Sequence, residues 1–379
     1  MGGVGVKLNT RIDIKELVGR LLPKQTLFVA VDYGTRWIKT ASVSIAGPKP
    51  MLLQLSRVAQ PLSGADEPDQ EARVARLAEA VELAGIKNQE VIATLSADKV
   101  ITRHIQLPII PEKELASAVS FEAEKLIPIP LSDLIVRHVK LGESEGEEGR
   151  QQEVLLAAVP IEVVYGFYEM FVQAGVVISA LDLPSLALWR ALSGVIGPGV
   201  RPDGVIAIVD IGAVNTTLIV VDQGSLLFWR SLAVGGDMLT KSMADTYTTS
   251  FEEAQKLKEE SGKILSAEEA ANVISPEEMQ LDFSLRDGLG EIVKEVRRSL
   301  DFYAGTRGAR PVQKILLSGG TSNLKGFVPF LTDALELPAE IGMLPVDAPP
   351  GTEQEMPYRD PAMFISVGLA LREASVNLI

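Results

Sequence analysis

Three short segments carry residue types able to hold a polyphosphate. In the first, Asp32-Tyr33-Gly34-Thr35 ends an apolar run and Lys39 follows closely. Such a turn presents backbone N–H groups and a hydroxyl to phosphate oxygens, and the lysine adds a positive charge. The second segment, Asp210-Ile211-Gly212, leads into a hairpin that begins with Thr216 and Thr217. The third is Leu317-Ser318-Gly319-Gly320-Thr321, where paired glycines after a buried run let a flat ring lie close against backbone. Asp-Tyr-Gly by itself is an ordinary turn. Beside Asp210 it means more, because two carboxylates next to a polyphosphate repel it unless a cation intervenes. A hydrated Mg²⁺, which keeps its waters and needs few carboxylates, is the natural bridge between Asp32 and Asp210. The absence of any GxxxxGK(S/T) segment excludes a P-loop site.

Strands must position these turns, and the strands repeat. Residues 26–32 form a continuous apolar run with β-branched members, the pattern of a strand buried on both faces; strands over 36–45 and 51–59 follow around a turn at 47–50. An acidic, alanine-rich helix over 69–84 and the strand EVIATLS come next. The order returns at residue 205: VIAIVD ends at Asp210, NTTLIVVD and SLLFWRSLAV pair around Gln223-Gly224, a helix begins near Gly236, and KILLS closes the set at 314–318. An order shared together with its acidic turn reads as gene duplication, and duplication predicts that the two acidic turns face each other across one cleft. A helix starting near Leu324 would aim its N-terminus at that cleft.

Two segments interrupt the repeat. Residues 98–177 read as strand, helix, strand, a solvated Gly/Glu tip, strand and helix, an α+β insertion; residues 241–305 are nearly all helical by pattern. The expected division is a leader at 1–25, a first lobe at 26–97 with 178–200, the insertion at 98–177, a second lobe at 201–240 with 306–379, and a helical cap at 241–305. The leader sets Ile14, Leu17, Val18, Leu21 and Leu22 on one helical face, which either packs on the body or lies on a membrane surface. Trp37, Trp189 and Trp229 fall on apolar runs and read as core. The helix containing YGFYEMF reads as packing, with part of that face free to line a groove.

Composition narrows the function. A chain of 379 residues with 46% hydrophobic content is globular and long enough for two cores. Fifty acidic against 36 basic residues give a net charge of −14, which argues against a nucleic-acid partner. The lack of cysteine removes disulfides, thiolate metal sites and cysteine nucleophiles. His104 and His138 lie in strand patterns without metal-ligand spacing. No apolar run reaches the roughly 18 residues that span a bilayer, and no secretory signal opens the chain, so a cytoplasmic place is expected.

VDYGTRWIK, VDIGAVNTT and LSGGTSNLKGF resemble, in order and spacing, the first phosphate, second phosphate and adenosine motifs of the superfamily of actin, heat-shock chaperone ATPases, sugar kinases and FtsA. The resemblance implies an α/β actin-like ATPase fold of duplicated ribonuclease-H-like lobes, binding ATP and Mg²⁺. It adds Gly236, in the stretch VGGDMLT that resembles the helix start after the second phosphate loop, and Lys258, in EAQKLK, as a nucleoside contact. The segment 365–370 is similar to the closing helix of that fold. Within the superfamily, RHIQLP, KEL, EAEK and IPIP in the insertion resemble the PilM proteins of type IV pilus machines more than FtsA, and imply an SHS2-like inserted subdomain. The chain's end, ALREASVNLI, carries nothing like the membrane-gripping tail of FtsA.

The PilM resemblance implies a cytoplasmic assembly protein at the inner face of the membrane. Its partner would be the N-terminal peptide of a PilN-like membrane protein, bound between the first lobe and the 98–177 insertion. Pilus, secretion and competence machines all fit, and an FtsA-like division protein that polymerises at the membrane is the alternative. Chaperone and FtsA relatives carry a catalytic glutamate before a proline where Leu183 precedes Pro184. Asp182 is the neighbouring carboxylate that could substitute, and slow hydrolysis at most is expected.

Overall fold

The computed structural model describes residues 27–45, 49–61, 70–146, 149–194, 204–272, 275–306, 308–348 and 358–374. The leader at 1–25, the first half of the 47–50 turn and the last five residues lie outside them.

The first lobe is built on β1 (Leu27–Tyr33), β2 (Trp37–Ser44) and β3 (Met51–Ala59), then α1 (Gln70–Leu83) and β4 (Glu90–Thr94). The insertion follows as β5 (Ile101–Pro108), α2 (Glu112–Leu126), β6 (Leu134–Gly146) and β7 (Gly149–Pro160), and the chain returns through α3 (Ile161–Gln173), β8 (Val177–Asp182) and α4 (Pro184–Leu192). The second lobe repeats the plan with β9 (Val205–Ile211), β10 (Thr216–Asp222) and β11 (Ser225–Leu232). Helices α5 (Gly236–Tyr247), α6 (Phe251–Ser261), α7 (Ala267–Asn272) and α8 (Pro276–Ala304) follow, and β12 (Val312–Ser318), α9 (Phe327–Leu335), β13 (Ala339–Ile341) and α10 (Phe364–Ala370) complete it.

The sheets run β3-β2-β1-β4-β8 and β11-β10-β9-β12-β13, the same order in both lobes. In each, the central strand pairs antiparallel with its hairpin partner and parallel with the strand after the helical segment. Every residue of β9 is buried, which is why it reads as an unbroken apolar run without alternation.

Between the lobes lie α4 and α10. Their Leu188, Trp189, Phe364 and Val367 share one core with Ala30 and Ile92 of the first sheet and Ile206, Ile208 and Ile219 of the second. The helices cross at Gly368, where a Cβ would stand 2.0 Å from the Ala187 carbonyl oxygen. Leu183 N-caps α4 without a side-chain bond, and Pro184 opens the helix, where its missing N–H costs nothing.

Packing ties two of the expected segments to their neighbours. The residue pattern groups helix α3 with the insertion, but its Met170 and Phe171 join Leu77, Ala80 and Val81 of α1 in the core of the first lobe. The insertion's own core is the sheet β5-β7-β6 against Leu115, Val119 and Ala123 of α2. In the helical segment 241–305, Leu285, Leu289 and Ile292 of α8 share one core with Val205, Ala207 and Val209 of β9. The helix expected near Leu324 begins at Phe327, after a 3₁₀ turn at Gly320–Asn323. Gly326 has φ +76° there, and a Cβ would lie 2.0 Å from the Ile264 carbonyl oxygen. Of the expected solvated tip, residues 147–148 lie outside the described residues, and the rest continues β6 and β7, paired as far as Gly146 and Gly149. Trp189 is core, whereas Trp37 and Trp229 are half-buried, and Trp229 meets the exposed His104 of the insertion edge-on at 5.2 Å. Among the described residues no helix is long and apolar enough to cross a membrane.

Candidate functional site

Each lobe delivers one carboxylate to the cleft in the same way. Asp32 stands opposite Lys39 in the β1–β2 register and opposite Thr94 in the β1–β4 register. Asp210 stands opposite Thr217 and Ser318 in the matching registers of the second sheet. The neighbouring parallel strand supplies a hydroxyl donor in both lobes: Thr94 Oγ1 donates to Asp32 Oδ1 at 3.2 Å, and Ser318 Oγ to Asp210 Oδ1 at 2.7 Å. The turns match too, with Gly34 N–H donating to the Trp37 carbonyl at 3.1 Å and Gly212 N–H to the Asn215 carbonyl at 3.0 Å. At either glycine a Cβ would come within 3.0 Å of that acceptor oxygen. The halves differ at one place that matters: Lys39 donates to Asp32 Oδ2 at 3.1 Å, while its counterpart in the second lobe is the neutral Thr217.

The two turns face one cleft of about 440 Å³. Asp32, Gly34, Thr35 and Lys39 line it from the first lobe, and Asp210, Gly212 and Thr217 from the second. The third turn closes it with Gly319, Gly320 and Thr321, and Gly236 and Lys258 complete the wall at the helical side. Gly319 has φ +88° and a Cβ there would lie 2.4 Å from the Ile211 carbonyl oxygen, so this glycine seats the third turn on β9. At Gly320 nothing stands within 4 Å, which leaves the open face to a ligand. Lys258 Nζ donates to the Gly236 carbonyl at 2.9 Å and to Thr240 Oγ1 at 2.6 Å, which fixes α6 to the start of α5.

Electrostatics set the two carboxylates apart. Burial pushes the Asp210 carboxyl up to about 6 from its ordinary 3.8; the Ser318 hydroxyl and Lys39 pull it back, and Asp32 pushes it further up. Only charges close to one another couple in this way, so the two acidic turns are electrostatic neighbours. Burial likewise lowers Lys258 to about 8, with Asp237 and Glu259 opposing that shift and Arg36 reinforcing it. A divalent cation at the mouth of the pair would remove the cost of ionising Asp210. Among the described residues no three His, Cys, Asp or Glu side chains gather to hold a metal by themselves. The donor set therefore suits a cation that brings its own waters or ligand oxygens.

Two expected site residues stand elsewhere. Thr216 is buried, donates to the Val234 carbonyl at 2.8 Å, and does not line the cleft. Adjacent residues of a strand point to opposite faces, so only Thr217 reaches the site. Asp182 is also outside the lining: its Oδ2 accepts from Arg190 Nη1 at 2.7 Å and lies 3.5 Å from Arg372 Nε, and its Oδ1 accepts the Leu183 N–H at 2.7 Å. With both oxygens engaged, it is placed to hold α4 against β8 rather than to orient water.

Sequence reasoning passes over Arg36 and Asp237. They lie within the motifs VDYGTRWIK and VGGDMLT and form a two-pronged ion pair across the cleft, Nε–Oδ1 at 3.2 Å and Nη2–Oδ2 at 2.6 Å. Opposite charges in two motifs that duplication sets face to face are the available signal. Arg57 and Asp360 make a second bond between the lobes at 3.0 Å.

Over 92% of its length the chain is similar, at 28% identity and TM-score 0.74, to a chain of a PilM-PilN type IV pilus biogenesis complex, 98% of which is covered. It is similar at 15% identity and TM-score 0.50 to the ethanolamine utilization protein EutJ from Carboxydothermus hydrogenoformans, over 91% of this chain and 90% of that one. MreB5 of Spiroplasma citri bound to ADP matches at 14% identity and TM-score 0.50, over 93% and 98%. The latter two establish the fold alone, the actin-like ATPase fold that the three motifs implied. The model of the type IV pilus assembly protein PilM matches residues 64–374, most of the chain including the insertion, and on that match the chain belongs to the PilM family.

Proposed function

We propose that this protein binds ATP with magnesium between its lobes and works as an assembly protein of a type IV pilus or related machine. The carrying observation is the 28% identity over 92% of the chain to a chain of the PilM-PilN complex. In this reading the closed, nucleotide-bound form presents a surface to the cytoplasmic N-terminal peptide of a PilN-like inner-membrane protein, which holds the chain peripherally at the inner face of the membrane. The division-protein alternative has no comparable support.

The residues fit the ligand. Asp32 and Asp210 would hold magnesium through water, Thr35 and the turn amides at Gly34 and Gly212 would take phosphate oxygens, and Gly320 and Lys258 would flank the nucleoside. Bound magnesium neutralises phosphate charge and polarises the terminal phosphoryl group. The chain's own part is to orient and enclose: Lys39 and Thr94 fix the Asp32 carboxylate, Ser318 fixes that of Asp210, and no free carboxylate stands at the Leu183 position to activate water. Slow turnover at most follows, with nucleotide acting as a ligand that favours closed lobes.

Helix α3 supports a peptide site where the insertion meets the first lobe. It buries Met170 and Phe171 but leaves Tyr165 63% and Tyr168 40% exposed, and its Phe167 packs beside Leu95 and Val100 at the entry to the insertion. A synthetic peptide from a PilN-like N-terminus is expected to bind the protein in the presence of ATP and Mg²⁺ by calorimetry. Tyr168→Ala should weaken it about tenfold, as for truncation of an interface tyrosine. No heat of binding from such peptides would contradict the assignment of the partner.

A further inference from the structure

Arg36 carries more than the expected phosphate turn requires. It follows Thr35 directly and reaches across the cleft to Asp237, the second residue of α5. That helix start is itself tied to the second phosphate turn, since Gly236 N–H donates to the Gly212 carbonyl at 2.9 Å and Asp237 N–H to the Ala213 carbonyl at 2.8 Å. The guanidinium also lies 4.9 Å from the ring of Phe251, the first residue of α6. One first-lobe side chain therefore touches both helices that lead away from the second phosphate turn. Its side chain is only 11% exposed and lines the cleft. Two of its three nitrogens are used on Asp237, and Nη1 is buried with no hydrogen-bond partner among the described residues. An unused N–H pair on a buried guanidinium is costly until an acceptor arrives, and a phosphate oxygen is the acceptor that guanidinium geometry suits best.

We propose that Arg36 is a phosphate-reading latch: with Nη1 it contacts the terminal phosphate of the bound nucleotide while its other two nitrogens hold Asp237, so that a triphosphate closes the lobes more firmly than a diphosphate. The proposal rests on the nucleotide reading above. It assigns Arg36 a side-chain role that the phosphate turn, working through backbone amides, does not supply.

The test compares ATP and ADP affinities in Mg²⁺ for wild type, Arg36→Lys, Arg36→Gln and Asp237→Asn, with small-angle scattering of each protein with and without nucleotide. Wild type is expected to prefer ATP. Both Arg36 variants should lose about tenfold in ATP affinity and less than about twofold in ADP affinity, because a lysine keeps the charge but cannot fork to two acceptors. Asp237→Asn should keep the ATP preference, because Nη1 is untouched, yet show a larger radius of gyration without nucleotide. Equal losses for ATP and ADP in the Arg36 variants, or none, overturn the proposal while leaving the nucleotide site standing. A wild type that binds neither nucleotide overturns both. Thermal melts identify any variant that fails to fold, and the second Arg36 substitution then decides.

Discussion

Asp210→Asn is expected to stabilise the nucleotide-free protein at neutral pH by up to about 3 kcal/mol, while weakening magnesium-nucleotide binding about 10- to 100-fold. The gain and the loss have the same origin. Burial lifts the Asp210 carboxyl to about 6 from 3.8, so the folded state keeps this proton over a range in which the unfolded chain has released it. The folded state then binds more protons than the unfolded one between those values, and stability falls as pH rises from 3.8 to about 6 and stays lower above. An amide in its place removes the ionised cost and still accepts the Ser318 hydroxyl, but gives up the charge that a cation needs. Urea melts over a pH series check the first half: wild type should lose stability across that window and the variant should not. A variant less stable than wild type at neutral pH would show that the carboxylate is not strained in the cleft.

Gly368→Ala should cost about 3 kcal/mol, at the upper end for overpacking a dense core. The added carbon would meet the Ala187 carbonyl oxygen at 2.0 Å and its carbonyl carbon at 2.6 Å, both backbone atoms that cannot swing aside. Because α4 and α10 share one core with both sheets, the damage reaches the joint between the lobes as well as one helix pair. Gly290→Ala is the control. Gly290 sits within the long helix α8 with nothing inside 4 Å of the place a Cβ would take, so alanine there should stabilise by about 1 kcal/mol through backbone entropy. Equal melting behaviour for the two variants would remove the close crossing from the account.

Much of this architecture is legible in residue patterns, and the reasons are local. Strands β1 and β9 announce themselves because burial on both faces forces a continuous apolar run, and the acidic residue at the end of each marks where the run meets the cleft. The duplication is visible for the same cause: two copies of one strand order keep their turns at equivalent places. What the sequence conceals is which surface an apolar face meets. The stripe on α3 indicates burial but not that Met170 and Phe171 share a core with α1 while Val163, Val164 and Phe167 lie beside Val100 and Val159 of the insertion.

At the site, residue type leads to the carboxylates and glycines, whereas side-chain direction has to come from strand parity. Thr216 and Asp182 recommend themselves by proximity in sequence, and both point into structural bonds, one to the Val234 carbonyl and the other to Arg190. Parity allows only one of Thr216 and Thr217 to face the cleft, and the β9–β10 register, with Thr217 opposite Asp210, selects Thr217. The Arg36–Asp237 pair spans 201 positions, and no local pattern reports a contact of that range.

The central claim is that Asp32 and Asp210 jointly hold a magnesium-bound triphosphate between the lobes. Calorimetric titration of ATP into the wild-type protein, with Mg²⁺ and again with EDTA, tests it most directly. Binding with Mg²⁺ that weakens at least about tenfold in EDTA is the predicted result. Affinity that is indifferent to EDTA, or no binding in either condition, would contradict it.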